Sequence, residues 1–201
     1  MIVPSDIRRA FEFSEVYVTQ IENRVRDIVL GYCEREGYAY VGRRKSLDSL
    51  SEKLESGRYG AWSKVDDLFG CTIVVPNLER EKSVVEYLRS KFNCVELRTR
   101  GMTRKSPDSF RFDATRFIGS LAFDPGTVPH PALAALSFEI QIRSAFEHAW
   151  SVSMHGLTYK TDEIDWKRKR IASQIKAMVE QLDQLIVSFE KGASPVIESP
   201  W

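Results

Sequence analysis

Apolar residues at Ile21, Val25, Ile28 and Tyr32 recur at helical spacing. They keep one face of a helix that Ser5-Asp6 can start and Gly37 can stop. Leu47, Leu50 and Leu54 repeat the pattern over a short helix beginning near Ser46, with Asp48 at the positive end of its dipole. The period then changes. Residues 71–75 form a continuous apolar run broken by Pro76-Asn77, as in a buried strand. Residues 79–92 predict a helix, 94–99 a strand, and 117–123 and 137–143 two further strands. The polar, turn-rich stretch 101–109 reads as a mobile loop and 124–130 (DPGTVPH) as a second loop. Ile171, Ile175, Met178, Leu182, Leu185 and Phe189 trace one stripe of a long terminal helix. Helices and strands interleave through short loops, which predicts one α/β layer domain flanked by helices.

Composition narrows this little. The 201 residues are 43% hydrophobic and 28% charged, as in an ordinary soluble chain with one core. The net charge of +1 gives no global case for a nucleic-acid partner, although a local basic pocket is compatible with it. Cys33, Cys71 and Cys94 have neither zinc spacing nor the pattern of a disulfide framework, so a reducing cytoplasm is expected. No apolar run approaches a membrane span, and the N-terminus lacks a basic-then-apolar signal.

Chemistry enters at residues 137–160, SFEIQIRSAFEHAWSVSMHGLTYK. Phe138, Ile140 and Ile142 point one way along the strand, and Glu139, Gln141 and Arg143 the other. A carboxylate, an amide and a guanidinium on one face can hold a metal, take a proton and grip a phosphate. An ordinary half-exposed strand would carry the same residue types. Upstream, Arg43 and Lys45 lead into the short helix, and Ser49 and Lys53 share one of its faces, opposite the leucines. Fixed cations beside helix N-terminal amides suit a polyphosphate, and also fit a solvated basic turn. Asp66-Asp67 stand at the mouth of the strand after Gly70, where Mg²⁺ could take one or two carboxylates plus phosphate oxygens; they could equally cap a loop.

The order of these motifs resembles the RelA/SpoT-type (p)ppGpp synthetase domain over roughly residues 38–160. E-I-Q-I-R, followed by Trp150, His155 and Tyr159-Lys160, is similar to that family's C-terminal motif. R-x-K-S-x-x-S-x-x-x-K, with Arg43, Lys45, Ser49 and Lys53, is similar to its ATP-binding signature. Val65-Asp66-Asp67-Leu68-Phe69-Gly70 is similar to its metal-binding motif, in which the second Asp, here Asp67, binds Mg²⁺. Two departures stand out. Thr72 occupies the place of an Arg that helps to clamp adenine, for which Arg80 and Lys82 are candidate substitutes. In the acceptor loop, 110–117, Phe112 replaces a base-stacking Tyr, Arg116 a His, Arg111 a Gly and Phe117 a Tyr.

The resemblance implies an α/β, nucleotidyltransferase-like mixed sheet of about five strands flanked by helices. One synthetase domain spans residues 1–201, with helical extensions at 5–36 and 165–190 outside the motif-bearing core. No H-D-x-x-E-D pair of the family's hydrolase domain is present. The implied activity is transfer of pyrophosphate from ATP to the 3′-hydroxyl of GDP or GTP, releasing AMP. Arg43, Lys45, Ser49 and Lys53 would bind ATP. Asp67 and Glu139 would hold Mg²⁺, with Glu139 also the base. An ordinary carboxylate is a weak base, so geometry and the metal must carry most of its effect. Phe112, Arg116, Gln141, Arg143, His155 and Lys160 would serve the acceptor, with Gln141 and Arg143 also orienting Glu139. His148 has no place in the motif and reads as a satisfied structural histidine. Two alternatives are a toxin-type relative that modifies adenine nucleotides or the tRNA 3′ end, and a silent nucleotide-sensing module. Near-neutral charge disfavours tRNA, and the paired carboxylates disfavour silence. A homo-oligomer is compatible with all three readings, and no membrane partner is expected.

Overall fold

A helix of 32 residues, α1 (Ser5–Glu36), opens the chain in a computed structural model. The structure describes residues 5–55, 68–101, 114–124, 126–158 and 166–192, with the side chains of 5–7, 10, 52–55 and 155–158 left aside. Gly37 ends α1 in the left-handed region at φ +70°. The next amide, Tyr38, reaches back to the carbonyl of Cys33 at 2.8 Å, which closes a Schellman turn. The elements that follow are β1 (Ala39–Arg44), α2 (Leu47–Glu55), β2 (Phe69–Val75), a 3-10 turn (Leu78–Arg80), α3 (Glu81–Lys91), β3 (Phe92–Arg98) and β4 (Thr115–Leu121). The chain continues with α4 (Pro131–Ala135), β5 (Phe138–Ser144), α5 (Ala145–Thr158) and α6 (Trp166–Gly192).

The five strands form one mixed sheet in the order β1-β2-β5-β4-β3. Only the β2–β5 pair is parallel; the other three are antiparallel. The sheet agrees with the expected five-stranded α/β fold. Strand β1 was not foreseen, because it lies at the sheet edge with five of its six residues exposed and shows no alternation to read. Phe69, Cys71, Ile73 and Val75 from β2, Phe117 from β4 and Phe138, Ile140 and Ile142 from β5 form the buried face. Ile21, Val25 and Val29 of α1 and Leu50 of α2 complete that core. Each such side chain contributes about 1.5–3 kcal/mol on full burial. No helix among the described residues is long and apolar enough to cross a membrane.

Helix α6 packs on α5 in an unexpected orientation. Its buried stripe is Ala172, Lys176, Val179 and Asp183. The apolar stripe one residue earlier, Ile171 to Phe189, faces solvent. The buried polar residues meet a carboxylate hub. Glu147, itself 1% exposed, accepts from Lys176 Nζ at 3.3 Å and from both terminal nitrogens of Arg100. Arg100 also reaches Glu81 at 3.3 Å, and Glu81 accepts from Thr115 Oγ1 at 2.6 Å. Ser144 and Glu147 form a capping box that starts α5. Ser144 Oγ accepts from the Glu147 amide at 3.1 Å, and the Glu147 carboxylate accepts from the Ser144 amide at 3.3 Å.

Ser144 Oγ donates in turn to Asp183 Oδ2 at 2.9 Å, while the buried Oδ1 has no hydrogen-bond partner among the described residues. Burial raises the Asp183 pKa above the usual carboxylate value, against the lowering pull of the Ser144 hydrogen bond. The folded state therefore holds this proton more tightly than the unfolded chain. Stability from this group is highest at acid pH and falls as pH rises from about 4 through the raised value. Asp183→Asn should keep an acceptor for Ser144 and remove that loss. At pH 7 the variant should melt at or above the wild-type temperature, with the difference vanishing near pH 4. A variant less stable at pH 7 would show that the charge itself supports the network.

Candidate active site

The sheet register assembles the polar face. Arg43 pairs with Gly70, and Gly70 with Glu139, so these three form one row across β1, β2 and β5. Paired residues project to the same side. The row two residues along runs Val41, Thr72, Gln141, Arg116 and Arg98 across all five strands. Residues between these rows belong to the buried face, so Arg43, Thr72, Arg116, Glu139, Gln141 and Arg143 share the other. Gly70 matters here. A Cβ at this position would lie 3.2 Å from the Glu139 carbonyl oxygen, tighter than ordinary contact, and the absence of a side chain leaves a gap between Arg43 and Glu139.

A chain of side-chain contacts fixes Glu139, which is 8% exposed. Gln141 Nε2 donates to Glu139 Oε1, and Arg143 Nη2 donates to Gln141 Oε1. Arg143 Nη1 is held by Ser151 Oγ of α5 at 2.7 Å. Arg116 Nη1 faces Glu139 Oε2 at 3.6 Å. Burial, followed by the repulsion of Arg116 and Arg43, holds the Arg143 pKa below its ordinary value, against the opposing pull of Glu147 and Glu139. One carboxylate thus sits among three guanidiniums.

The basic helix start lies at the end of β1. Ser46 caps α2, accepting from the Ser49 amide at 3.3 Å and donating to Ser49 Oγ at 3.0 Å. The Lys45 amide donates to the Leu68 carbonyl at 3.0 Å, which brings this helix start to the entrance of β2. Arg44 turns away to α1, where it pairs with Glu22 and donates to Thr19 Oγ1 at 3.0 Å. The sequence-derived residues Arg43, Lys45, Ser49, Arg116, Glu139, Gln141 and Arg143 are described here. Asp67, Phe112 and Lys160 lie outside the described residues, as do the side chains of Lys53 and His155. Most of the stretch 101–109, read as a mobile loop, lies outside them as well.

Two sequence expectations are revised. Arg80 and Lys82 do not stand in for the missing Arg at Thr72. They come after Val75, the far end of β2, which is itself about 17 Å from Gly70 by strand rise, and pair with Glu190 and Glu86. Arg116 is the guanidinium in Thr72's own row, beyond Gln141. His148 is not a satisfied histidine: its buried Nδ1 has no hydrogen-bond partner among the described residues. Burial first, and Arg143 second, lower its pKa and favour the neutral ring. Glu147 and Ser151 went unread in the sequence, although Ser144-x-x-Glu147 is a legible capping signature.

Magnesium is the cofactor the motif pattern implies. No group of three or more His, Cys, Asp and Glu suited to a metal occurs among the described residues. Glu139 beside the Gly70 gap fits the sparser habit of Mg²⁺, which takes one or two carboxylates and completes its shell with substrate phosphates and water.

Fold and polar face together define an α/β domain whose mixed five-stranded sheet carries one buried carboxylate among guanidinium groups. Residues 42–164 match the model of the region found in RelA / SpoT proteins, and the chain belongs to that family. No curated protein matches the sequence. Among solved structures, the chain is similar to small alarmone synthetase 1 from Bacillus subtilis, at 19% identity and a TM-score of 0.69, over 90% of this chain and 95% of that one. The same enzyme bound to its product pppGpp matches at 18% identity and a TM-score of 0.65, over 93% and 94%. The Type VI effector Tas1, in complex with its immunity protein, gives a likeness at 14% identity and a TM-score of 0.55, over 92% and 100%. At these identities the structural likenesses speak for the fold.

Proposed function

We propose that the chain transfers pyrophosphate from ATP to the 3′-hydroxyl of a guanine nucleotide, yielding (p)ppGpp and AMP. The observation that carries this reading is the row Arg43–Gly70–Glu139, with Arg116 and Arg143 around it. Arg43, Lys45, Ser49 and Lys53 bind the ATP phosphates at the α2 start. Glu139 accepts the proton of the attacking hydroxyl as that oxygen bonds to the β-phosphorus and AMP leaves. Gln141 fixes one carboxylate oxygen. The 3.6 Å gap from Arg116 to the other exceeds a hydrogen bond and leaves it capacity for the incoming hydroxyl. Arg116 and Arg143 offset phosphate charge, and His155 and Lys160 contact the acceptor's phosphates. Asp67 and Glu139 would hold Mg²⁺, which supplies charge neutralisation on the transferring group.

A second reading rests on the altered acceptor loop. With Phe112 and Arg116 in place of the family's Tyr and His, an adenine nucleotide or the tRNA 3′ end becomes an alternative acceptor. Incubation with labelled ATP and GDP, GTP, AMP, ADP, ATP or deacylated tRNA separates the two readings. AMP release with a pyrophosphorylated guanine product is expected. ADP alone, or no product with any acceptor, would overturn pyrophosphotransfer.

Phe112→Ala should weaken acceptor binding by roughly 1–3 kcal/mol, the worth of one aromatic–base stack, and leave ATP binding nearly unchanged. Separate titrations of acceptor and ATP measure this. A lowered melting temperature with unchanged acceptor affinity would make Phe112 a core residue.

A further inference from the structure

Two arginines of the polar face each adjoin a fully buried hydroxyl residue. Thr115 precedes Arg116 on β4, and Ser144 follows Arg143 on β5. Alternation along a strand sends the arginines to the polar face and the hydroxyls to the core side. Both hydroxyls belong to the ion network behind the sheet. Thr115 Oγ1 accepts from the Arg100 amide at 3.0 Å and donates to Glu81 Oε1 at 2.6 Å. The Arg100 guanidinium joins Glu81 to Glu147, and Glu147 accepts from the Ser144 amide at 3.3 Å. A buried network of this kind is often no more stable than apolar side chains of similar volume, so stability alone does not account for it.

We propose that Thr115 is a positioning residue for acceptor binding, holding Arg116 in place beside Glu139. This role rests on the polar face being the site of transfer. Arg116 is the second residue of β4, and its cross-strand neighbour Arg98 is the last residue of β3. Strand ends open most readily, and a guanidinium one residue from an end follows that motion. Repulsion adds to it, because Arg98 and Arg116 stand directly opposite each other and like charges so placed push apart. The Thr115 hydroxyl counters both effects. It ties the first residue of β4 to the chain leaving β3 at Arg100 and to Glu81 of α3. Serine can make the same two bonds. Valine, of nearly the same shape, can make neither.

Calorimetric titration without turnover tests the role. The donor site is first filled with an ATP analogue carrying a methylene between its α- and β-phosphorus, which cannot release AMP. GDP, GTP, AMP, ADP and ATP are then titrated against wild type and variants. Thr115→Val should weaken binding of the preferred acceptor roughly 10-fold. Affinity for the donor analogue should not change, because Arg43, Lys45 and Ser49 lie across β5 and β2. Thr115→Ser should restore wild-type affinity. Arg116→Ala should also weaken the acceptor, and adding Thr115→Val to it should cost nothing further, since both act through one guanidinium. Equal losses for donor and acceptor, or a lowered melting temperature with acceptor affinity intact, would make Thr115 a purely structural residue. Additive losses in the double variant would overturn action through Arg116. Should Thr115→Val not fold, Arg100→Lys carries the same expectation, since it keeps a cation for Glu147 and gives up the fork that also reaches Glu81. Unchanged acceptor affinity in that variant would overturn the role, as would a wild type that binds no second nucleotide. AMP release is read separately with ATP itself. Its absence with every acceptor would overturn pyrophosphotransfer and leave the binding result standing.

Discussion

Glu139→Gln is expected to lower turnover by about 10²-fold or more while leaving the fold intact, the loss usual for a general base or metal ligand. The substitution keeps the size of the side chain and preserves an oxygen for Gln141 Nε2, so the chain from Ser151 through Arg143 and Gln141 can persist. It removes the charge that faces Arg116 and the basic oxygen beside the Gly70 gap. Asp67→Asn should cause a comparable loss. Steady-state rates with ATP and the best acceptor, read beside thermal melts, check both variants. An unchanged rate would remove that residue from the chemistry, and a collapse in melting temperature would make it a structural carboxylate.

The largest effect on stability is expected at Glu147. Glu147→Gln leaves Lys176, buried to the same 1% exposure, and Arg100 without their shared counter-charge. Breaking a buried ion network from one side costs about 3 kcal/mol or more. For a chain of this size that is a fall of roughly 6–12 °C in melting temperature. Lys176→Met should cost less, because Arg100 still compensates Glu147 and the new side chain is apolar. The order Glu147→Gln worse than Lys176→Met is the outcome to measure by thermal and denaturant unfolding. The reverse order would make Lys176, rather than Glu147, the centre of the network.

Residues whose role is set by a periodic local pattern could be read from the sequence. The alternation in β5 put Ile140 in the core and Glu139 on the opposite face, and the motif order pointed to the family. Strand β1 could not be read, because an edge strand buries too little to alternate. Gly70 could not be read either, since its importance comes only from the register that sets it between Arg43 and Glu139. The stripe on α6 was legible as a helix but not as a surface. Which face turns inward is decided by Glu147, Lys176 and Asp183, partners distant in sequence whose pairing leaves no periodic trace. Glu147 could have been found from its capping box with Ser144, and His148 only from its surroundings.

The position of β5 in the sheet bears on how the chain is made. Strands β1 and β2 pair early in synthesis, and β3 and β4 form a second pair, yet no hydrogen bonds join the two pairs directly. The central strand, which carries Glu139, is the last of the five to leave the ribosome. Until then each half-sheet presents an open edge to other nascent chains. Closing the parallel β2–β5 pair spans a long stretch of sequence, which makes it a slow step. The strand that completes the polar face is therefore also the one that ends the chain's exposure to misassembly, so the row Arg43–Gly70–Glu139 exists only once the sheet is closed.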